Sequence, residues 1–287
     1  MSAVLVVAGY AIQESVRRRV FVIVLVLTAA FLGLFALGTR EAFQEIAEFE
    51  SAGGADIPVD EQRLAGATLL GLAMFATLFL GAVLAAFLTL SVVKGDAERG
   101  LLQPLVVRPV GREALLGGRF LAAAAVCAVY VVAVFAAAAA IVHSIGGWWP
   151  DRFVGPALQL AAGVVVIAAL SLVGSIFLSA TANGIAVFML FGAGVVAGLL
   201  GQIGEALDSP TLIDVARKTS WALPFEALYQ DGLDGIASES LGLTGLALQL
   251  GPFGGAQAAG AWLLPWTAAY LAVLAAVAVL AFRRADL

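Results

Sequence analysis

The sequence predicts an all-α, polytopic membrane protein with six transmembrane helices. Hydrophobic residues make up 62% of the 287-residue chain and charged residues only 12%, about half the share that a soluble domain carries. The charged residues also leave five long stretches free of Asp, Glu, Lys and Arg, at 20–39, 64–93, 120–150, 153–204 and 240–282. Because a helix needs about 20 mostly apolar residues to cross a bilayer, these stretches have room for six spans.

Turn signals divide the two longest stretches. Stretch 153–204 is long enough for two spans, and the segment Ser179–Gly184, which ends in the strong turn dipeptide Asn183-Gly184, is predicted to be the hinge between them. Stretch 240–282 divides at the glycines of 251–255; the part at 241–250 is too short to cross, and whether it is re-entrant or interfacial stays open. The predicted spans are therefore 20–39, 65–93, 120–143, 154–179, 185–203 and 262–282.

The basic residues set the predicted orientation. They cluster before the first span, in the loop at 94–119 and at the C-terminus, and short loops rich in Lys and Arg stay in the cytoplasm. Both termini and the 94–119 loop are thus predicted to be cytoplasmic. The outer loops are then 40–63, 144–153 and 204–261, and they hold most of the acidic residues.

Residues 1–19 are predicted to form a helix that lies in the cytoplasmic membrane interface. Their apolar part, Val4–Ile12, runs into three consecutive basic residues, Arg17, Arg18 and Arg19. Arginines at the end of such a helix sit at the level of the lipid headgroups. We therefore expect these three side chains to anchor the N-terminal segment to the membrane.

The loop at 94–119 carries an apolar patch that lipid tails do not cover. Leu101, Leu102 and Leu105 follow Glu98-Arg99-Gly100 directly. Exposed apolar patches of this kind mark interaction sites. The loop is predicted to dock on a protein partner or on the membrane surface.

This loop resembles the coupling region of ABC-2 type permeases, the membrane subunits of bacterial ABC exporters. That pattern runs as an acidic residue, Gly-Thr-Leu after a short gap, and then Pro-Val-x-Arg before a basic residue that opens the third span. The residues that match it are Glu98, Gly100, Leu101, Pro109, Val110, Arg112 and Arg119. Two departures are Leu101, where the pattern commonly has Thr, and Pro104, which would begin or kink a coupling helix.

The resemblance implies a permease subunit in the bacterial cytoplasmic (inner) membrane. It further implies a cytoplasmic coupling helix between helices 2 and 3, a second permease subunit that is identical or a sister chain, and two copies of a cytoplasmic ATPase that carry ATP and Mg²⁺. The residues implied to couple this chain to the ATPase are Glu98, Arg99, Gly100, Leu101, Leu102, Leu105, Arg108, Pro109 and Arg112.

Enzyme chemistry is not expected on this chain. A Walker A loop requires Gly-Lys, and both lysines, Lys94 and Lys218, follow other residues. Metal sites need clustered ligands, whereas His143 and Cys127 are the single residues of their types. We therefore predict no catalytic residues, no metal and no cofactor on this chain.

Two further features bear on transport. The predicted spans contain no charged residue, which argues against a proton-coupled or sodium-coupled carrier. Gly194 and Gly198 form a GxxxG motif, a candidate helix-packing interface between spans or between subunits.

Two other functions compete with an exporter subunit. A membrane scaffold could recruit a soluble partner through the 94–119 loop without transporting anything, and a lipid-modifying enzyme is a third class that the lack of charged or metal-ligand clusters disfavours. The sequence specifies neither the cargo nor whether the second permease is an identical chain.

Overall fold

The protein is described by a computed structural model that covers residues 3–17, 19–51, 61–90, 112–237 and 256–284. Within these ranges all regular structure is α-helical, which confirms the predicted fold class. The helices are α1 (Ala3–Arg17), α2 (Arg19–Ser51), α3 (Glu61–Thr89), α4 (Arg112–Gly146), α5 (Val154–Phe177), α6 (Ala180–Ala206), α7 (Pro210–Ala222), α8 (Pro224–Ala237) and α9 (Leu263–Arg284).

Six of these helices, α2 to α6 and α9, are long and apolar enough to cross a membrane. The prediction of six spans is thereby confirmed. Several helices continue beyond the charge-free stretches. For example, α2 runs to Ser51, past Arg40 and four glutamates, because Glu and Arg are good helix formers and the first glycines after Gly38 are Gly53 and Gly54.

The break between the fourth and fifth spans lies at the first residue of the predicted hinge Ser179–Gly184, but the rest of that hinge is helical. Helix α5 ends at Phe177 and α6 begins at Ala180, so Asn183 and Gly184 are helical rather than part of a turn. Ser179 is the N-cap of α6, and its hydroxyl accepts a hydrogen bond of 3.4 Å from the Ala182 N–H. The serine cap sets the start of the helix, because it satisfies one of the N–H groups that a helix start leaves unpaired.

Helices α3, α4 and α5 form the centre of the bundle. Their largest buried side chains include Met74, Phe135 and Ile167, and these belong to one continuous apolar core. The α1 helix packs along α4, where Gly118 lets Val7 approach so closely that a Cβ atom at Gly118 would lie 2.7 Å from the Val7 side chain. The other face of α1 exposes apolar residues such as Leu5 and Tyr10, as an interfacial helix does.

The region predicted as the outer loop 204–261 contains two helices with opposite surroundings. Helix α7 is largely exposed, whereas α8 packs against α5 and α3. Every residue from Leu223 to Gln230 is buried. This part of the chain therefore folds back among the spans.

Candidate functional site: a groove, a polar knot and a buried carboxyl

Most of the predicted coupling residues lie outside the described residues. These are Glu98, Arg99, Gly100, Leu101, Leu102, Leu105, Arg108 and Pro109, together with Arg18 of the N-terminal segment. Arg112 is the first residue of α4, and its side chain is not described. Arg17 ends α1 and Arg19 begins α2, which puts both at the junction of the interfacial helix with the first span.

The described chain reaches the coupling loop at Leu90, beside a groove between α3 and α6. The groove has a volume of about 650 Å³ and is lined by Phe87, Leu90, Ala180, Thr181, Gly184, Ile185, Phe188 and Met189. Its walls are almost wholly apolar. In the predicted orientation it opens at the cytoplasmic ends of spans two and five, where the coupling loop leaves span two.

A polar knot, formed by Thr89, Ser171 and Asn183, fastens three spans together beside this groove. The hydroxyl oxygens of Thr89 and Ser171 lie 2.6 Å apart, and the Asn183 Nδ2 donates a hydrogen bond of 2.8 Å to the Ser171 carbonyl oxygen. All three side chains are buried. Buried hydrogen bonds of this kind hold helices in one register, so the ends of α3, α5 and α6 are tied to one another.

The GxxxG motif lies at the middle of α6, and both of its glycines are buried. A Cβ atom at Gly194 would lie 2.7 Å from the Phe225 ring and 3.5 Å from the Glu226 Cβ. Gly194 therefore packs against α8 of the same chain. We call the contact of Phe191 and Gly194 with Phe225 and Glu226 the α6–α8 seam.

The first turn of α8 reaches the middle depth of the bundle. Pro224 occupies the first helical position, where its missing N–H costs nothing. Phe225 contacts Gly194 and Gly163, which lie near the middles of α6 and α5. The first turn of α8 thus lies level with the middles of two candidate spans, α5 and α6.

Glu226 is a carboxyl buried at this depth, with 1% of its surface exposed. Its Oε1 accepts a hydrogen bond of 3.3 Å from the Gln230 Nε2. Burial raises the pKa of Glu226 to about 8, and the bond from Gln230 opposes that shift. Since α8 is not one of the six spans, the lack of charged residues in the predicted spans does not apply to this carboxyl.

Aromatic rings lead from the surface of the bundle to Glu226. Phe79 on α3 is 42% exposed, and its ring centroid lies 5.8 Å from that of Phe191. Phe191 in turn stacks on Phe225 at 5.8 Å with the two planes 9° apart. Phe75 and Tyr229 meet edge to face at 6.1 Å beside them. Glu226 thus adjoins the buried end of a row of rings whose other end is exposed.

The outer end of α8 is fastened to its surroundings by hydrogen bonds. Asp231 accepts one bond from the Gln159 side chain of α5 and another, of 2.8 Å, from the Ala259 N–H. The Gln257 N–H donates a bond of 3.3 Å to the Gln230 carbonyl oxygen. These bonds hold the C-terminal half of α8, whereas its first turn meets α6 through ring and glycine contacts.

Sequence reasoning did not find Glu226 as a site residue. One signal could have revealed it: Glu226 is the one charged residue between Lys218 and Asp231, and from Trp221 to Gln230 its neighbours are apolar or aromatic except for Gln230. In the described part of the chain no three His, Cys, Asp or Glu residues cluster, so the groove and seam offer apolar contact, hydrogen bonds and this one carboxyl.

A bundle of six apolar spans with a buried helix between the last two is the architecture of a multi-pass membrane protein. The family described as "ABC-2 family transporter protein" matches residues 5–287. The chain therefore belongs to the ABC-2 transporter family, which confirms the resemblance seen in the 94–119 loop. A comparison with curated proteins finds no match.

Proposed function

We propose that this chain is the permease subunit of an ATP-driven ABC-2 exporter, in which two permease subunits enclose the translocation pathway and a separate cytoplasmic ATPase drives them. The observation that carries the proposal is the family match over residues 5–287. A permease of this family implies an ABC ATPase partner. We place ATP and Mg²⁺ on that partner, and the chain in the bacterial cytoplasmic membrane with both termini in the cytoplasm.

The arrangement around the coupling loop supports this function. Span two ends at Thr89, whose side chain belongs to the polar knot, and the loop follows within a few residues. A displacement of the loop would therefore pull directly on α5 and α6. In the proposal, Glu98–Leu105 receive the movement of the ATPase, and Arg108, Pro109 and Arg112 orient the loop.

The exposed faces of spans two and five support a paired permease. Span five exposes Ile185, Met189 and Val196 on one side, and span two exposes Leu72 and Phe79. Ile185 and Met189 line the groove itself, so a second permease subunit that faced this part of span five would enclose it. In this proposal the groove becomes the cytoplasmic entrance of the pathway.

The first experiment asks whether an ATPase binds through the loop. The full chain is purified in mild detergent from its native host, and its co-purifying proteins are identified and assayed for vanadate-sensitive ATP hydrolysis. We expect a P-loop ATPase with the natural chain and its loss with Glu98→Ala or Gly100→Leu. Asp151→Asn, a surface change in a predicted outer loop, is the control and should retain it.

The outcomes of this experiment distinguish an exporter subunit from a membrane scaffold. If no ATPase accompanies the natural chain, or if the loop variants retain it with unchanged hydrolysis, the proposed function is wrong. A scaffold would retain its partner's basal hydrolysis in every loop variant that still binds.

The second experiment tests the polar knot. Asn183→Ala removes the bond to Ser171, so we expect hydrolysis to continue while ATP-dependent movement of a fluorophore at Thr181→Cys is lost. Thr28→Val is the matched control, because Thr28 lies 2.5 Å from the Tyr130 hydroxyl in a buried contact between α2 and α4, away from the groove. If the fluorophore moves equally in both variants, the polar knot has no part in transmitting the movement of the ATPase.

A further inference from the structure

A carboxyl at mid-membrane depth is costly, and the fold does not use this one in an ion pair. The hydrogen bond to Glu226 comes from Gln230, and no Lys, Arg or His side chain among the described residues pairs with it. Intramembrane ionisable residues usually mark ligand or ion paths. Glu226 therefore lacks, in the described part of the chain, the positive partner that its charged form would require.

The surroundings of Glu226 specify what such a partner would look like. Phe191 and Phe225 present ring faces and edges, and these attract cations through their quadrupoles. The remaining walls are apolar, because Gly194 and the Phe75 and Tyr229 rings surround the seam. An apolar, ring-lined setting with one carboxylate favours a bulky apolar group that carries a positive charge, and it disfavours an anion of the same shape.

The α6–α8 seam is also the part of the bundle through which a ligand has a route to Glu226. Helices α6 and α8 meet there through a ring on a glycine and a ring on a ring, while the other end of α8 is held by the bonds of Asp231. Phe79, at the exposed end of the row of rings, lies on α3, which is also one wall of the proposed pathway entrance. Moving α6 away from α8 would therefore uncover Phe225 and Glu226 from the pathway side.

We propose that the α6–α8 seam opens into a binding site for lipophilic organic cations, in which Glu226 is the counter-charge and the rings of Phe191 and Phe225 are the walls. The inference rests on the proposed transport function, for which it names a substrate class. The cation enters between α6 and α8, displaces the contact of Phe191 with Phe225, and pairs with the carboxylate as Glu226 releases its proton.

The other titratable groups near α8 leave Glu226 as the group that sets the pH dependence. Within the described side chains, α5 has no titratable group, and those of the other packed helices that lie toward helix ends or the surface are Arg63, Glu205, Asp214, Arg217, Lys218 and Arg283. Tyr270 is partly buried on α9, and on α8 itself Asp231 and Asp234 follow Glu226 by five and eight positions. Tyr229 is adjacent, and its pKa is raised by burial and by Glu226, so it stays neutral. Glu226 is neutral below its raised pKa, hence cation binding should strengthen as pH rises toward 9.

The test measures equilibrium binding of tetraphenylphosphonium to the full chain in nanodiscs of phosphatidylcholine, with empty nanodiscs as the blank. Tetraphenylborate, which has the same shape and the opposite charge, is the control ligand. We expect the cation to bind specifically and the anion not to. We expect cation affinity to rise about tenfold between about pH 6.5 and pH 9.

Variants of the seam residues test whether the cation binds at the α6–α8 seam. Glu226→Gln should weaken cation binding about tenfold at about pH 9 and abolish its pH dependence. Phe191→Leu should weaken it less and keep the pH dependence. Asp234→Asn is the matched control on the same helix, because burial also raises the pKa of Asp234 although it lies away from the seam. It should bind as the natural chain does.

The proposal is overturned if the cation binds no better than the anion, if binding by the natural chain does not change with pH, or if Glu226→Gln binds as the natural chain does. The first two outcomes require no variant and so do not depend on whether a variant folds. The assay contains no ATPase. A failure here therefore leaves the permease function standing, and a failure to find an ATPase leaves the cation site standing.

Discussion

Helices α7 and α8 are neighbours of nearly equal length, 13 and 14 residues, yet their carboxyl groups behave in opposite ways. On α7, Asp214 lies on the surface and pairs with Arg217 at 2.8 Å and Lys218 at 2.5 Å. The hydrogen bonds from Lys218 and then Arg217 lower the pKa of Asp214. On α8, Glu226 is buried with one amide partner, and burial raises its pKa.

The difference teaches that position within the bundle, rather than the presence of charge, decides how a carboxyl titrates here. Exposed ion pairs contribute little to stability because water screens them. A carboxyl buried among apolar rings is costly in its charged form. Substitutions on α7 and α8 should therefore have effects of different size.

The largest difference is expected for charge reversal. Glu226→Lys places an unpaired ammonium among apolar rings, and an uncompensated buried charge costs about 3–5 kcal/mol. We expect little monodisperse protein after detergent extraction. Asp214→Lys, on the exposed helix, should be recovered at the natural yield, as size-exclusion chromatography would show. Equal recovery of the two variants would mean that Glu226 faces water.

A smaller effect is expected from filling the seam. Gly194→Ala would bring a Cβ atom to 2.7 Å from the Phe225 ring, and overpacking of this kind costs about 1–3 kcal/mol. Gly192→Ala is the matched control two residues away on α6, where nothing lies within 4 Å of the added atom. Thermal unfolding in detergent should show a lower Tm for the first variant alone; an unchanged Tm would contradict the α6–α8 contact.

The pH dependence of stability gives a third comparison. The unfolded chain ionises Glu226 near pH 4.5, whereas the folded chain keeps it protonated until about pH 8. The folded state therefore binds more protons in this window, and its stability falls as pH rises from about 4.5 to about 8. Glu226→Gln should flatten that part of the Tm profile; a natural profile in this variant would show that other groups cause the slope.

The smallest effect is expected on α7. Asp214→Asn removes both ion pairs of this exposed residue, and we expect no measurable change in Tm at moderate salt because water and ions already screen them. Differential scanning fluorimetry at low and at moderate salt would measure the Tm of this variant and of the natural chain. A large loss of stability in both would place Asp214 in a less exposed setting than the fold gives it.

Much of the fold follows from the sequence, because crossing a bilayer imposes a length and an apolar composition that can be counted. The six spans were predicted on that basis. The break between spans four and five lies at the first residue of the predicted hinge, but α6 continues through Asn183-Gly184 because a serine cap and the hydrogen bond of Asn183 to Ser171 outweighed the turn preference of Asn-Gly.

The candidate site was less predictable. Helix α8 carries charged and polar residues and is too short to span, so composition assigned it to an outer loop. Its burial depends on contacts with α5, α3 and α6 that are distant in sequence. Similarly, the polar knot joins Thr89 to Ser171, which lie 82 positions apart in the chain. No local sequence pattern predicts such a pairing.

The central claim is that α8 lies inside the bundle while α7 lies on its surface. Labelling of single cysteines with a membrane-impermeant maleimide tests it most directly, and the natural Cys127 is buried and should stay silent. Lys218→Cys on α7 should label completely while Leu228→Cys on α8 stays unlabelled until the protein is denatured. Labelling of both positions at the same rate in the folded protein would contradict the account.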